Sequence, residues 1–332
     1  MKFSSRFPIA AGLLALSAAA SPAPDPAPLP GFQRGPFAGE QILTIRQDPG
    51  VRILVNAPSP EQFSSKKKVK LVFYGLPNGN TIEQTLGRTM RPGDDWHFDI
   101  QHIAAQARFL RERLADETLV VACLENSLKS WPAWRKKNGD AAIPDLLEAV
   151  KKPFAGYPTE TVLSGHSGGG SLLFGWMNAV PKIPDDVGRI AFLDANYAYD
   201  TALHRDKLTA WLQASDRRRL VVLAYHDDIA LLNGKTFVSA AGGTWGRSHQ
   251  MLKDFARTFP ITDRVTPDWE NHEALDGRVK FFLRKNPEKK VLHTVQVERN
   301  GFIHTLVTGT PLENQGYEYF GERAYRKFVA PE

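Results

Sequence analysis

The chain has 332 residues, of which 42% are hydrophobic and 23% charged, values that exclude a disordered, collagenous or coiled-coil protein and allow one large domain with a substantial core. Its single cysteine, Cys123, excludes an intrachain disulfide, a cysteine-rich zinc module and an iron–sulfur cluster. The net charge of +6 is a thin excess of 42 basic over 36 acidic side chains, which suits solubility and gives no ground for a nucleic-acid partner.

Lys2 and Arg6 precede an apolar, small-residue run from Phe7 to Ala20. That run is shorter than the ~20 apolar residues a membrane-spanning helix needs, and it ends in Ala18-x-Ala20. Residues 1–20 therefore read as a cleavable signal peptide, and the mature protein is expected in the periplasm or released. No later stretch reaches ~18 consecutive apolar residues, so no stable membrane insertion is expected once the signal is removed. Residues 21–38, opening SPAPDPAPLPG, read as a Pro/Ala-rich linker of polyproline character, and residues 39–332 as the folded domain.

Two apolar runs, Gln41–Gln47 and Val51–Ala57, flank Asp48-Pro49-Gly50 and predict an antiparallel hairpin. Further strands are predicted at Lys70–Gly75, Leu119–Leu124, Glu160–Gly165, Arg189–Asp194, Arg219–Tyr225 and Val291–Val297. Most are continuous apolar runs, as strands covered on both faces must be. Ile100, Ile103, Ala104, Ala107, Leu110 and Leu114 recur at helical spacing. Helices are also predicted after Ser167, over Ala202–Leu212, Ser248–Phe259 and His272–Leu283, and near the C-terminus. A leading hairpin followed by alternating β and α units predicts a doubly wound, mostly parallel α/β sheet whose chemistry gathers at the carboxyl ends of the strands.

The sharpest motif is Gly165-His166-Ser167-Gly168-Gly169, a G-x-S-x-G between a β-branched strand and the helical run SLLFGWM. A strand-to-helix turn of this kind lifts the Ser167 hydroxyl above the sheet edge. It also leaves the Gly168 N–H unpaired at a helix start, where it can stabilise an oxyanion. The competing reading is a glycine-rich helix entry capped by a serine.

In this motif and in its order of strands, the chain from about residue 40 to 332 resembles the α/β-hydrolase superfamily. The resemblance implies a Ser…Asp…His chain order, an acyl-enzyme mechanism without a cofactor, and a second oxyanion donor after the third strand. There the sequence reads Tyr74-Gly75-Leu76-Pro77, a loose match to the family's His-Gly-x, and Leu76 is the matching donor because Pro77 has no N–H. For the base, His304 follows the last predicted strand after an Asn300-Gly301 turn. For the acid, Asp227 follows the seventh strand, with Asp194 after the sixth and Asp228 as alternatives.

The run His226-Asp227-Asp228 also invites a metal reading, but adjacent residues on a strand end point in alternating directions, and no metal is expected. Trp131, Trp134 and His166 are candidates to line the substrate pocket, although the tryptophans could equally pack under a long loop. Only one helix's worth of chain separates Asp194 from Arg219, which leaves no room there for a large cap domain. The longer stretch from Asp228 to Val291 carries a glycine-rich segment, Leu232–Gly246, read as a hairpin or flap. The expected protein is an exported serine hydrolase acting on a small or polymer-linked carboxylic ester. A peptidase or amidase of the same mechanism, and a non-catalytic extracytoplasmic glycan-binding protein on the same fold, are the alternatives.

Overall fold

A computed structural model describes residues 1, 26–64, 66–239 and 242–331. All but the first residue of the expected signal peptide, and the start of the linker, therefore lie outside the described residues. Ten strands carry the architecture: β1 (Gln41–Gln47), β2 (Val51–Ala57), β3 (Lys68–Gly75), β4 (Glu117–Asn126), β5 (Thr159–His166), β6 (Val187–Leu193), β7 (Arg219–Tyr225), β8 (Thr262–Val265), β9 (Trp269–Ala274) and β10 (Val279–Arg284). They form one sheet in the order β1-β2-β4-β3-β5-β6-β7-β10-β9-β8, with a two-residue strand, Gln33–Arg34, outside β1. From β4 to β10 across the centre every neighbouring pair is parallel, whereas β1, β2, β8 and β9 pair antiparallel at the two flanks. The crossovers at β3 and β4, together with helices on both faces, make this an α/β-hydrolase fold.

The helices are α1 (Ile82–Leu86), α2 (Ile103–Arg111), α3 (Trp131–Asn138), α4 (Ile143–Lys151), α5 (Gly170–Ala179), α6 (Thr201–Gln213), α7 (Thr244–Phe255), α8 (His293–Gln296) and α9 (Phe302–Val307). Alternate residues of each central strand feed two separate cores. Leu71, Phe73, Leu163, Ile190, Phe192, Leu220 and Val222 meet α3 to α7 on one face. Val72, Tyr74, Val121, Ala191, Leu193, Val221 and Leu223 meet α2 and α9 on the other. That division is why these strands are apolar throughout and show no period of two.

Two expectations change in the last third of the chain. The segment expected as a helix over His272–Leu283 is instead the end of β9, a turn and the parallel strand β10. Val279, Phe281 and Leu283 are buried while Lys280, Phe282 and Arg284 are half-buried, a period of two rather than 3.6. The segment expected as the last strand, Val291–Val297, is instead a loop end and the short helix α8. Among the described residues, the long stretch between Asp228 and Val291 holds α7, a widening of the sheet and a short exposed hairpin, Leu231–Leu232 against Lys235–Thr236, while residues 240 and 241 of the expected flap lie outside them. The expected linker is also shorter than 21–38. Phe32 is buried edge-on against Phe154 and the Leu29 N–H donates to Gln41, so the chain lies on the domain from Leu29 onward. Among the described residues no helix is long and apolar enough to cross a membrane.

Candidate active site

β5 ends at His166, and the chain turns at Ser167 through a single 3₁₀ turn, Ser167–Gly169, into α5. Ser167 holds φ at +55°, in the left-handed region that a non-glycine residue occupies only at a cost of about 1–3 kcal/mol. The turn is this tight because the strand, the elbow and the loop after β3 touch backbone to backbone. A Cβ on Gly169 would run into the Gly75 carbonyl, and one on Gly168 into the Asn78 side chain. Leu76, the first residue after β3, is buried against this elbow, its carbonyl 3.0 Å from where a Gly169 Cβ would stand. Gly168 is the second residue of the turn, where an N–H has no intrahelical acceptor. The two expected oxyanion donors therefore belong to adjoining segments beside the serine.

Ser167, Gly168, Asn78, Arg135, Ala195 and Tyr197 face one cavity of about 740 Å³. Asn78 carries no functional signal in the sequence, where Pro77-Asn78-Gly79-Asn80 reads as plain turn chemistry. In the cavity wall Arg135 grips Asp140 with two nitrogens, at 2.6 and 2.8 Å, and donates to the Ser171 hydroxyl at 2.9 Å.

The histidine beside the elbow is His293. Its Nδ1–H donates to Asp194 Oδ2, its ring lies tilted against that of His166 with centroids 4.5 Å apart, and its carbonyl accepts from His166 Nε2 at 3.0 Å. Asp194 follows β6, is fully buried, and also holds a positive φ of 47°. Its second oxygen accepts from the Thr244 hydroxyl at the head of α7. His293 thus has Nδ1 committed to a buried carboxylate and Nε2 left over, on a side chain that keeps 24% of its surface exposed.

His304, the expected base, lies elsewhere. It is on α9, whose terminal carbonyls, Thr305 and Thr308, are gripped by Arg189 from near the start of β6, the edge opposite the elbow. Its ring stacks on Tyr319 at 4.6 Å, meets Phe282 at 4.5 Å, and holds the Tyr317 hydroxyl at 3.0 Å through Nδ1. Burial first, then the Lys280 and Arg189 charges, push its pKa down to about 3. Once β10 is placed at Val279–Arg284, His293 is the first histidine after the last parallel strand. In the sequence that signal is hidden because the segment that forms β10 resembles a helix.

Asp227, the expected acid, caps α7, accepting the Thr244 N–H at 2.8 Å and the Trp245 N–H at 3.4 Å. Burial and then the Asp194 charge push its pKa up to about 6. Asp228 pairs with His226 Nε2 at 2.6 Å. Of the three acidic candidates, only Asp194 meets a histidine at the elbow.

The three expected pocket-lining rings are interior. Trp131 and Trp134 are buried, packed edge-to-face at 5.4 Å, and their indole N–H groups donate to the Leu124 and Pro49 carbonyls. The amphipathic tryptophans face the core, while Pro132, Arg135 and Lys136 of the same helix reach the cavity. His166 is buried behind the serine and supports the His293 backbone; burial, followed by the His293 charge, holds its pKa well below the usual range. Among the described residues one group of three has metal-ligating atoms close together, His249, Glu270 and His272, and it is separate from this cavity.

No family model matches the chain, and no curated protein matches it. Several solved structures are similar. A thermostable esterase aligns over 82% of this chain and 60% of its own, less than two thirds of that protein, at 13% identity and a TM-score of 0.46. An IroE-like serine hydrolase from Shewanella oneidensis aligns over 80% and 78% at 10% identity, TM-score 0.47. A siderophore hydrolase, EstB, from Aspergillus nidulans aligns over 89% and 100% at 13% identity, TM-score 0.43.

Proposed function

We propose that the chain is an exported serine hydrolase that cleaves carboxylic esters, with Ser167 as nucleophile, His293 as general base and Asp194 as the acid that orients it. The observation that carries this reading is the hydrogen bond from His293 Nδ1 to the buried Asp194, on a histidine whose carbonyl is held by His166, the residue before a serine at a left-handed turn. A bond at Nδ1 fixes the tautomer that presents Nε2 as a proton acceptor, and the carboxylate stabilises the imidazolium formed on attack. Ser167 Oγ attacks the ester carbonyl as Nε2 takes its proton. The negative oxygen settles on the N–H groups of Gly168 and Leu76, the alcohol leaves with the proton from His293, and water activated by the same ring releases the acid. The cavity shared by Ser167 and Gly168 holds the acyl portion.

Labelling by a fluorophosphonate probe and turnover of a panel of ester and amide substrates test this. Wild type labels and hydrolyses esters faster than amides. Ser167→Ala abolishes labelling and lowers kcat by about 10⁶-fold, and His293→Ala is comparably severe. His304→Ala changes stability yet keeps labelling. Labelling that survives Ser167→Ala, or that is lost with His304 rather than His293, overturns the assignment. Recovery of the labelled protein inside the cytoplasm, with residues 1–20 retained, overturns export.

A further inference from the structure

On the antiparallel flank of the sheet, three side chains turn their electron pairs toward one point. Glu270 and His272 are two apart on β9 and so project from the same face of the strand. His249, on α7, faces them. His249 Nε2 lies 3.0 Å from Glu270 Oε2, and His272 Nε2 lies 3.8 Å from the same oxygen. The three ligand atoms are all within 4.8 Å of one another.

The far side of each ring is already taken. His249 Nδ1 sits 3.0 Å from the Trp245 carbonyl, and His272 Nδ1 sits 2.7 Å from Asp263 Oδ1. An acceptor at Nδ1 fixes the proton there, so each Nε2 presents a lone pair inward. Glu270 presents lone pairs to the same place. Two acceptors 3.0 Å apart repel unless a cation lies between them, either a second proton on the ring or a metal ion. His272 Nε2 is moreover buried and has no hydrogen-bond partner. A single extra proton on His249 leaves it so.

We propose that His249, Glu270 and His272 bind one zinc ion, with solvent as the remaining ligand. Zinc takes imidazole and carboxylate oxygen at about 2.0–2.2 Å in tetrahedral sites, which sets ligand atoms roughly 3.3 Å apart. The separations of 3.0 and 3.8 Å bracket that spacing. Two imidazoles with one carboxylate suit zinc and other late transition ions and not magnesium or calcium, which prefer all-oxygen sites. The carbonyl and carboxylate behind the rings are the outer contacts that orient metal-bound histidines. His226-Asp227-Asp228, the run that invites a metal reading in the sequence, is occupied otherwise. The new ligands come from two elements, α7 and β9, that only the folding of the chain brings together. An ion here would pin α7, whose first residue supports Asp194, to the sheet flank. The proposal does not depend on the hydrolase reading.

Titration of the chelator-treated mature protein with zinc chloride at pH 7.5, by calorimetry and by equilibrium dialysis, tests it. One equivalent binds, and zinc raises the melting temperature, whereas magnesium and calcium do neither. His249→Ala and His272→Ala each weaken binding at least ~10-fold, and the double variant loses both the binding and the thermal shift. Asp263→Asn touches only the outer contact of His272, on an exposed strand, and weakens zinc by ~10–100-fold with circular dichroism unchanged. Replacement by cobalt(II) gives the visible absorption of a four-coordinate site, lost in the double variant. Absence of zinc binding in wild type, which is the result if a proton alone joins the cluster, overturns the proposal. So does binding that is undiminished in the double variant or in Asp263→Asn.

Discussion

Thr244 joins two carboxylates to one helix. Its N–H donates to Asp227, and its hydroxyl donates to Asp194, which His293 also contacts. Both acids are buried, so each donor offsets part of a desolvation penalty that water would otherwise meet. Thr244→Val keeps the shape and removes only the hydroxyl. A lost hydrogen bond to a charged acceptor is worth about 1.5–3 kcal/mol, so we expect a loss of that size in unfolding free energy. On the proposed mechanism kcat should also fall with little change in KM, because there the orientation of Asp194 matters once His293 takes a proton. Thr244→Ser restores both. Denaturant titration and steady-state kinetics on the three proteins decide it, and an unchanged kcat in Thr244→Val would detach Thr244 from the site.

His304 gives the molecule a pH dependence of a definite sign. Its folded pKa is lowered from 6.5 to about 3, so the folded state prefers the neutral ring. The stabilisation is complete above pH 6.5 and is lost as pH falls from there toward 3, where the unfolded chain binds the extra proton. Within that window one such ring contributes a slope of up to ~1.4 kcal/mol per pH unit. His166, depressed in the same direction, adds to it. His304→Gln removes the titration, so its unfolding free energy should fall less steeply than wild type between pH 6 and about 4. Parallel slopes would show that the ring is already solvated.

At the scale of elements, the elbow depends on the absence of side chains. A methyl on Gly169 meets the Gly75 carbonyl and the Leu76 carbonyl, both backbone, and neither can move without shifting β3. Gly169→Ala should therefore destabilise the fold by more than ~3 kcal/mol or prevent soluble expression. Gly156→Ala, where nothing lies within 4 Å of the added carbon, should be neutral or slightly stabilising. Thermal unfolding of the two variants separates close approach from a general intolerance of glycine replacement.

This elbow was legible in the sequence because strand, serine, glycines and helix are contiguous. The central strands were legible for a similar reason, since double-sided burial leaves an unbroken apolar run. The last third was not. VKFFLR alternates, but its exposed-side residues include Phe282, which packs on His304 and blurs the period. VLHTVQV has the β-branched composition of a strand, yet the sheet is already filled on that flank by β9, and the segment coils into α8 over the elbow. One exchanged pair of elements puts the expected base, His304, eleven residues beyond the histidine that meets Asp194. The choice between Asp194 and Asp227 rested on the same tertiary fact, because which carboxylate meets the imidazole depends on where α8 lands.

Across the whole molecule, the two ends of the domain and its first long helix are tied by a buried charge cluster. Glu40, just before β1, receives Arg108 through two bonds of 3.0 and 2.7 Å and Arg111 at 2.6 Å, all from α2. Arg111 also donates to the Asn56 and Leu119 carbonyls on β2 and β4, and Arg108 reaches the Phe328 carbonyl near the C-terminus at 2.8 Å. The cluster spans segments that are remote in sequence, which is why no local pattern announces it. One carboxylate serves two guanidinium groups, and burial pushes Arg111 down to about 10 even so. Removing the acid leaves two cations in the interior with carbonyl partners and, for Arg108, the Phe37 ring, and breaking a buried pair in that way costs about 3–5 kcal/mol. Glu40→Ala should show that loss in denaturant titrations. Glu40→Gln, which still accepts hydrogen bonds, should lose less, and fluorophosphonate labelling of folded protein should be unaffected in both. A loss below ~1 kcal/mol in Glu40→Ala would mean that water reaches the arginines and that hydrophobic packing alone closes the molecule.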